Sequence, residues 1–527
     1  MQSARILVPL YACVSLAFSS VSYTTPNVAH VWIDVELPPT VAADAAGRLL
    51  VLAQPVKTGD SPSPDDIELS DLYPAAVAVA GQDVRTFDSS HHVLMDADQD
   101  AFPTPFSQLT PGTYRVQVVL DRNGDFGRYY GRGPGDLVTK VVNVQVPLSS
   151  TLTIALDHEV PAVTSDNASS ASPEGQSLRD AARPLLTDVE VSSKVLTAFW
   201  GRPVSLKAWV LVPPGYAVGS LKTWPVAFML GTFSATHERD SDLAHLFAQL
   251  NQSGATPPLI WVFLDYATAT GTTEFADSVN NGPWGTALTT ELIPALEHRF
   301  RMDARPTGRF LTGHSSGGWA SLWLQVNYPK IFGGAWATAP DPTDYRRFIG
   351  VDLTAPNVNM YFDVHGEQRP QIRESGHVTG TLRDFVRREE VLGHVGGVYQ
   401  SFDCVFSPRG DDGRPLPMFD RVSGKVNPEV AAYWRRNFDL GRKVSSLPSA
   451  AKKALNGKLT VIVGDEDTFY LDGSVHLLKS DLDTAGVKAD IRFLPGKNHN
   501  NLWSQGDDEL GLVKEIARAM YSIARPN

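Results

Sequence analysis

Gly313-His314-Ser315-Ser316-Gly317 constrains the fold of this 527-residue chain more than any other stretch. It reads G-x-S-x-G, and its flanks suit that pattern. Before it, Arg309-Phe310-Leu311-Thr312 is a short apolar run that reads as the end of a buried strand. After it, Gly318-Trp319-Ala320-Ser321-Leu322-Trp323-Leu324 has helix-like apolar spacing. A serine on a sharp strand-to-helix turn lifts its hydroxyl above the sheet, and the two glycines relieve crowding around it. The helix that follows aims its first N–H groups at any oxyanion formed there. The plainer reading is a glycine-rich turn whose serine caps a helix, so the pattern needs partners.

A serine nucleophile requires a histidine base, and the base requires a carboxylate to hold its tautomer. On a parallel α/β sheet these follow the serine in the order acid, then histidine, on the ends of later strands. Leu459-Thr460-Val461-Ile462-Val463 is a β-branched run that reads as a buried parallel strand, ending in Gly464-Asp465-Glu466-Asp467. Ile491-Arg492-Phe493-Leu494 reads as the next strand, ending in Pro495-Gly496-Lys497-Asn498-His499-Asn500, and Leu510 to Ile523 as a closing amphipathic helix. The order therefore offers Ser315, Asp467 and His499 as a triad. The spacing Gly-x-x-Asp favours Asp467 as the acid, with Asp465 and Glu466 as adjacent rivals; Asp472 and His476 fall on the following helix, as solvated residues.

Upstream, Leu206–Val212, Val226–Leu230 and Leu259–Leu264 read as strands, and Thr286–Arg299 as an amphipathic helix. Strands alternating with helices imply a mostly parallel sheet covered on both faces. The loop after Leu230 is then expected to supply one oxyanion donor, the N–H of Thr232 or Phe233, with the N–H of Ser316 as the other.

From about Val189 onward the chain resembles the putative-esterase family of α/β-hydrolases, which includes feruloyl and acetylxylan esterases, enterochelin esterases, S-formylglutathione hydrolases and mycolyltransferases. The resemblance rests on Val210-Leu211-Val212-Pro213-Pro214-Gly215-Tyr216, on Glu274-Phe275-Ala276-Asp277-Ser278 with Glu291-Leu292-Ile293-Pro294, on Gly313 to Gly318, and on Asn498-His499. It implies an α/β-hydrolase fold with Ser315 as nucleophile, His499 as base and Asp467 as orienting acid. One departure stands out: relatives often carry His-Gly-x-Gly where this chain has Gly231-Thr232-Phe233-Ser234.

Residues 340–458 form an insertion that the core sheet does not require, rich in aromatic residues and carrying Arg387, Arg388, Arg435 and Arg436. Between elbow and acid, such an excursion shapes the substrate pocket as a lid; the alternative is a helical subdomain with its own core. Asp277, Trp284 and Trp319 are candidate pocket-lining residues, each with packing as the alternative.

Residues 1–22 combine Arg5, an apolar run from Ile6 to Phe18 and small residues at Ser20 and Ser22, the pattern of a secretory signal peptide rather than a membrane span. Removing that leader leaves Cys404 as the single cysteine, so no internal disulfide is expected. Residues 23–157 alternate in short runs between turns and predict an all-β sandwich of immunoglobulin-like or carbohydrate-binding type. A Ser-, Ala-, Asp- and Pro-rich linker follows over 158–184, and the catalytic domain occupies 185–527. Asn167 and Asn251 head glycosylation sequons. Asp96-Ala97-Asp98-Gln99-Asp100 and Asp121-Arg122-Asn123-Gly124-Asp125 could wrap calcium, but neither has the twelfth-position Glu, and polar turns explain both.

The net charge of −12 argues against nucleic acid or anionic membranes as partners. No residue pattern calls for a metal or other cofactor. The expectation is a secreted or periplasmic serine ester hydrolase acting on a small-molecule or polysaccharide-linked ester, carbohydrate-linked or aromatic. An acyltransferase with the same triad, a serine peptidase and a non-catalytic carbohydrate-binding or surface protein are the rivals.

Overall fold

Val, Ile, Leu and Phe runs long enough for one strand and buried on both faces build the centre of an eight-stranded sheet. Its strands are β1 (Leu186–Ser192), β2 (Ser205–Leu211), β3 (Val226–Leu230), β4 (Ile260–Leu264), β5 (Arg309–His314), β6 (Gly334–Thr338), β7 (Leu459–Gly464) and β8 (Asp490–Leu494). The order across the sheet is β1-β2-β4-β3-β5-β6-β7-β8. The first two strands run antiparallel to their neighbours, and every pairing from β4 through β8 is parallel. The computed structural model describes residues 30–41, 45–57, 66–88, 90–124, 131–161, 183–217, 219–233, 235–236, 241–393 and 395–526. The leader read over 1–22, the sequon at Asn167 and most of the linker lie outside the described residues.

Two strands escape the sequence reading. β1 is an edge strand whose residues are largely half-buried or exposed, so its apolar signal is weak. β6 is Gly334-Ala335-Trp336-Ala337-Thr338, in which one glycine and two alanines dilute the strand signal of Trp336 and Thr338, and β5 and β7 pair with it on either side. The helix expected over Thr286–Arg299 is present, with its middle turn, Leu288–Leu292, widened into a π-helix.

Helix α1 (Ser316–Asn327) leaves the elbow and is buried at every position from Ser316 to Val326, so it lies inside the molecule. Between β6 and β7 come a hairpin of Pro370–Glu374 with His377–Thr381, then helices α2 (Leu382–Leu392) and α3 (Val398–Phe406). Thr381 and Asp384 close a capping box at the start of α2, satisfying N–H groups that a helix end leaves open. The aromatic residues of this insertion do not form a separate core. Phe406 packs on Trp319 at 5.1 Å and Phe438 on Trp323 at 5.5 Å between ring centres, which joins them to α1. Helix α4 (Gly511–Ala524) closes the chain with Leu512, Val513, Ile516, Ala517 and Met520 buried, the spacing of one helical face.

The N-terminal residues fold as two sheets. Strands 92–96, 32–36 and 152–155 make the smaller; the larger centres on Gly47–Pro55, antiparallel to both Gly112–Asp121 and Ala78–Val84. Ile33, Val35, Met95 and Ile154 share one core with Leu49, Val51, Val116 and Val118. The alternate residues Leu50, Leu52, Val79 and Val119 face the other way and bury Val391 and Leu392 at the end of α2. That two-sided burial explains why the centre of Gly47–Pro55 reads as a continuous apolar run. Arg48 Nη2 donates to the Val391 carbonyl at 2.8 Å and pairs with Asp100 at 2.5 Å, tying the same contact.

The acidic stretches of this region serve turns. Asp98 accepts from the Val31 and Ser107 amides, each at 2.7 Å, and Asp121 Oδ1 accepts from the Asn123 and Gly124 amides at 3.2 and 2.8 Å. His30 Nδ1 meets Asp96 Oδ2 at 2.7 Å beside Asp98. Asp125 lies outside the described residues.

Candidate active site

The chain leaves β5 through Ser315 at φ 56° and ψ −121°, a conformation that residues other than glycine rarely adopt. Around it the backbone is packed too closely for side chains. A Cβ on Gly313 would meet the Gly317 carbonyl oxygen at 2.3 Å, and one on Gly317 would meet the Leu230 and Gly231 oxygens at 2.2 and 2.4 Å. Both glycines are thus required by contact, and α1 begins directly against the loop after β3. The Ser315 amide donates to Thr338 of β6 at 3.0 Å, and its carbonyl accepts from Trp319 at 3.0 Å.

Two later loops bring the acid and the histidine together. His499 Nδ1 lies 2.9 Å from Asp467 Oδ2, with the Asp467 side chain fully buried. The other carboxylate oxygen accepts from the Phe469 and Leu471 amides at 2.9 and 3.2 Å, which fixes its orientation. Asp465 and Glu466 are exposed, and Asp465 instead accepts from the Gly496 amide at 2.7 Å, linking the loops after β7 and β8. Asp472 pairs with Arg373, and His476 stacks on Phe493 at 3.8 Å.

Ser315, His499, Ser316, Thr232 and Phe233 line one cavity of about 580 Å³. Among the described residues, no hydrogen-bond acceptor is bonded to the amides of Thr232, Phe233 or Ser316. His314 packs on His499 at 4.4 Å and on Trp503 at 5.3 Å between ring centres. Burial, and then the charge of His499, hold the His314 imidazole well below its ordinary value, so it is a neutral wall for the second histidine. Phe469 meets His499 edge-on at 4.9 Å.

Asp341 is the site residue that sequence reasoning missed. It follows β6, the short strand whose glycine and alanines weaken its signal. Ser316 Oγ donates to its Oδ2 at 2.6 Å and Ser315 Oγ to its Oδ1 at 3.3 Å, so in this state the Ser315 hydroxyl faces Asp341 rather than His499. Burial raises the Asp341 carboxyl above the ordinary range. Behind it, Glu274 is fully buried, and burial followed by the Asp341 charge pushes its carboxyl well above the ordinary range, which favours the neutral acid. The Tyr266 hydroxyl sits 2.6 Å from Glu274 Oε2 and 2.9 Å from the Ser316 carbonyl. Through these two contacts the Tyr266 hydroxyl links the buried Glu274 carboxyl to the peptide that follows Ser315.

The three other candidate pocket residues lie outside the cavity lining. Asp277 accepts from the Thr286 amide and hydroxyl at 2.9 and 2.7 Å, at the start of the helix that runs to Phe300. Trp284 is buried and donates to the Asn281 carbonyl at 2.8 Å. Trp319, 1% exposed, stacks on Trp323 at 5.1 Å. Their surroundings are those of packing and capping residues.

The strand order, with a strained serine between β5 and α1, defines the α/β-hydrolase fold. The chain belongs to the family described as "Putative esterase", whose model matches residues 203–500. No curated protein matches it in sequence. Among solved structures it is similar to a ferulic acid esterase (13% identity, TM-score 0.39, 64% of this chain and 98% of that one). It is also similar to a fluorophosphonate-binding serine hydrolase F of Staphylococcus aureus (12%, TM-score 0.36, 64% and 98%). A third is an S-formylglutathione hydrolase from Agrobacterium tumefaciens (16%, TM-score 0.34, 64% and 94%). The protein is an esterase of this family, and among the described residues no helix is long and apolar enough to cross a membrane.

Proposed function

We propose that this esterase hydrolyses carboxylic esters through an acyl-enzyme on Ser315. The observation that carries the reading is the convergence on one cavity of a serine in a strained elbow and a histidine whose far nitrogen is held by a buried carboxylate. His499 Nδ1 carries its proton toward Asp467, which leaves Nε2 free to act as base. Ser315 Oγ turns from Asp341, gives its proton to His499 Nε2 and bonds to the acyl carbon. The carbonyl oxygen takes the negative charge and is received by the amide of Ser316 and that of Phe233 or Thr232. Protonated His499 then donates to the departing alkoxide. Water, deprotonated by His499, attacks the acyl-enzyme, and collapse of the second tetrahedral intermediate returns the proton to Ser315.

The lining of Phe233, Ile349, Phe385, Phe402 and Phe469 supports an apolar or aromatic acyl or alcohol group, and the accessory strands support a carbohydrate-linked ester. The residue pattern of 1–22 supports action outside the cytoplasm. The test is fluorophosphonate labelling with peptide mapping, followed by p-nitrophenyl and feruloyl ester assays. Label on Ser315, lost in Ser315→Ala and strongly slowed in His499→Ala, is the expected result; label on another residue rejects the mechanism.

A further inference from the structure

The cavity that holds Ser315 and His499 is not made by the hydrolase sheet and its insertion alone. Asp71 and Leu72, from the N-terminal part of the chain, line it as well. Their segment is fastened from both sides. Toward the N-terminal sheets, Ile67 is buried, its amide donates to Gln117 Oε1 at 2.9 Å, and its carbonyl accepts from Arg132 at 3.1 Å. Toward the insertion, Arg388 of α2, fully buried, donates from Nη1 to the Ser70 carbonyl at 2.6 Å and brings Nη2 to 3.5 Å from Asp71 Oδ1. A loop held in this way presents its side chains in fixed positions, as a specificity wall must.

The Asp71 side chain keeps 54% of its surface open although one oxygen faces Arg388. Among the described residues, the lining also includes the Asp341 carboxylate and no lysine or arginine. Such a wall offers acceptors to a hydroxyl or ammonium group and repels a carboxylate.

Resting on the esterase reading above, we infer that the N-terminal region completes the substrate pocket, Asp71 selecting esters that carry a hydrogen-bond donor away from the scissile bond and rejecting anionic ones. Leu72 sets the width of the pocket on the same side.

The experiment uses the full chain and measures kcat/KM for four p-nitrophenyl esters, of hexanoic, 6-hydroxyhexanoic, 6-aminohexanoic and adipic acid (as its monoester). The monohexanoate ester of glycerol and the hexanoate ester of its di-O-methyl ether, whose single remaining hydroxyl carries the acyl group, extend the panel to the alcohol side. The wild type is expected to favour donor-bearing over anionic or methylated partners at least tenfold on one side of the ester. Asp71→Asn, which keeps an oxygen for Arg388, should abolish an ammonium preference and retain a hydroxyl preference; Asp71→Leu should abolish both. Leu72→Trp, which does not touch the Arg388 pair, should lower the hexanoate-to-acetate ratio of kcat/KM at least tenfold. Thermal melts report whether each variant is folded. Selectivity ratios that stay at the wild-type value in folded Asp71→Leu and Leu72→Trp overturn the inference, as does a wild type that hydrolyses the anionic ester as well as the others. Absence of wild-type label on Ser315 would instead reject the underlying mechanism, so the two failures are distinct.

Discussion

Ser315 and Asp341 face one another at 3.3 Å, hydroxyl to carboxylate, across the mouth of the elbow. The contact is long for an O–H···O bond, whereas Ser316 holds the other oxygen of the same carboxylate at 2.6 Å. Asp341 is therefore anchored by Ser316 and only loosely engages the Ser315 hydroxyl, which the proposed mechanism turns toward His499.

Two carboxylates near one serine make the acid assignment testable. Asp467→Asn removes the acceptor that orients His499 and should lower kcat by about 10⁴-fold, as loss of a triad acid does. Asp341→Asn breaks only a weak contact and should change kcat by less than about tenfold, the equivalent of one net hydrogen bond. Steady-state kinetics on a p-nitrophenyl ester decide it, and the reverse ranking would make Asp341 the functional acid.

Gly317→Ala places a methyl group on two backbone oxygens, which cannot yield as a flexible side chain can. The elbow and the loop after β3 must separate. Since a displacement near 1 Å at a reacting group is worth roughly 10²-fold, kcat/KM should fall by about that factor or more. Overpacking should also lower stability by about 1–3 kcal/mol. Wild-type rates of fluorophosphonate labelling in this variant would contradict the packing described.

Leu392 ends α2 in full burial against Leu50, Leu52 and Val119 of the N-terminal sheet. Truncation to alanine leaves a cavity where the two parts of the chain meet and should cost about 2–5 kcal/mol in urea denaturation. A loss below about 0.5 kcal/mol, the scale of a surface substitution, would mean that the contact does not hold in solution.

Burial pushes the Glu389 carboxyl up to about 7, although it accepts from the Val398 amide at 2.6 Å. Its folded-state value lies above the unfolded one, so the folded state binds the extra proton. The resulting burden on stability is absent below the unfolded value and grows as pH rises toward and through about 7. Glu389→Gln keeps an acceptor and cannot ionise. Relative to wild type it should gain stability between pH 5 and pH 8, by at most about 3 kcal/mol. Parallel melting curves at the two pH values would read the difference, and equal losses in both proteins would count against it.

Much of this molecule is legible in its amino-acid sequence. Each long apolar run from Leu206 onward became a strand of the central sheet within a residue or two, because burial on both faces leaves a continuous hydrophobic signature. The elbow, with Asp467 and His499 on successive later strand ends, could be read because chain order fixes which loops gather at one sheet edge. What could not be read depended on neighbours. β6 is short and more than half glycine and alanine, so Asp341 on the loop after it had no visible address. Asp277, Trp284 and Trp319 looked like pocket residues by composition, yet helix capping and ring packing determine where they lie.

The sequence by itself determined the hydrolase sheet, the serine on its elbow and the order of acid and histidine, since these follow from local periodicity and chain direction. Only the tertiary structure decided what surrounds that serine. Asp71, Leu72 and Asp341 come to the cavity from strand ends and loops hundreds of residues apart in part, and such meetings are set by long-range packing, which no local pattern encodes.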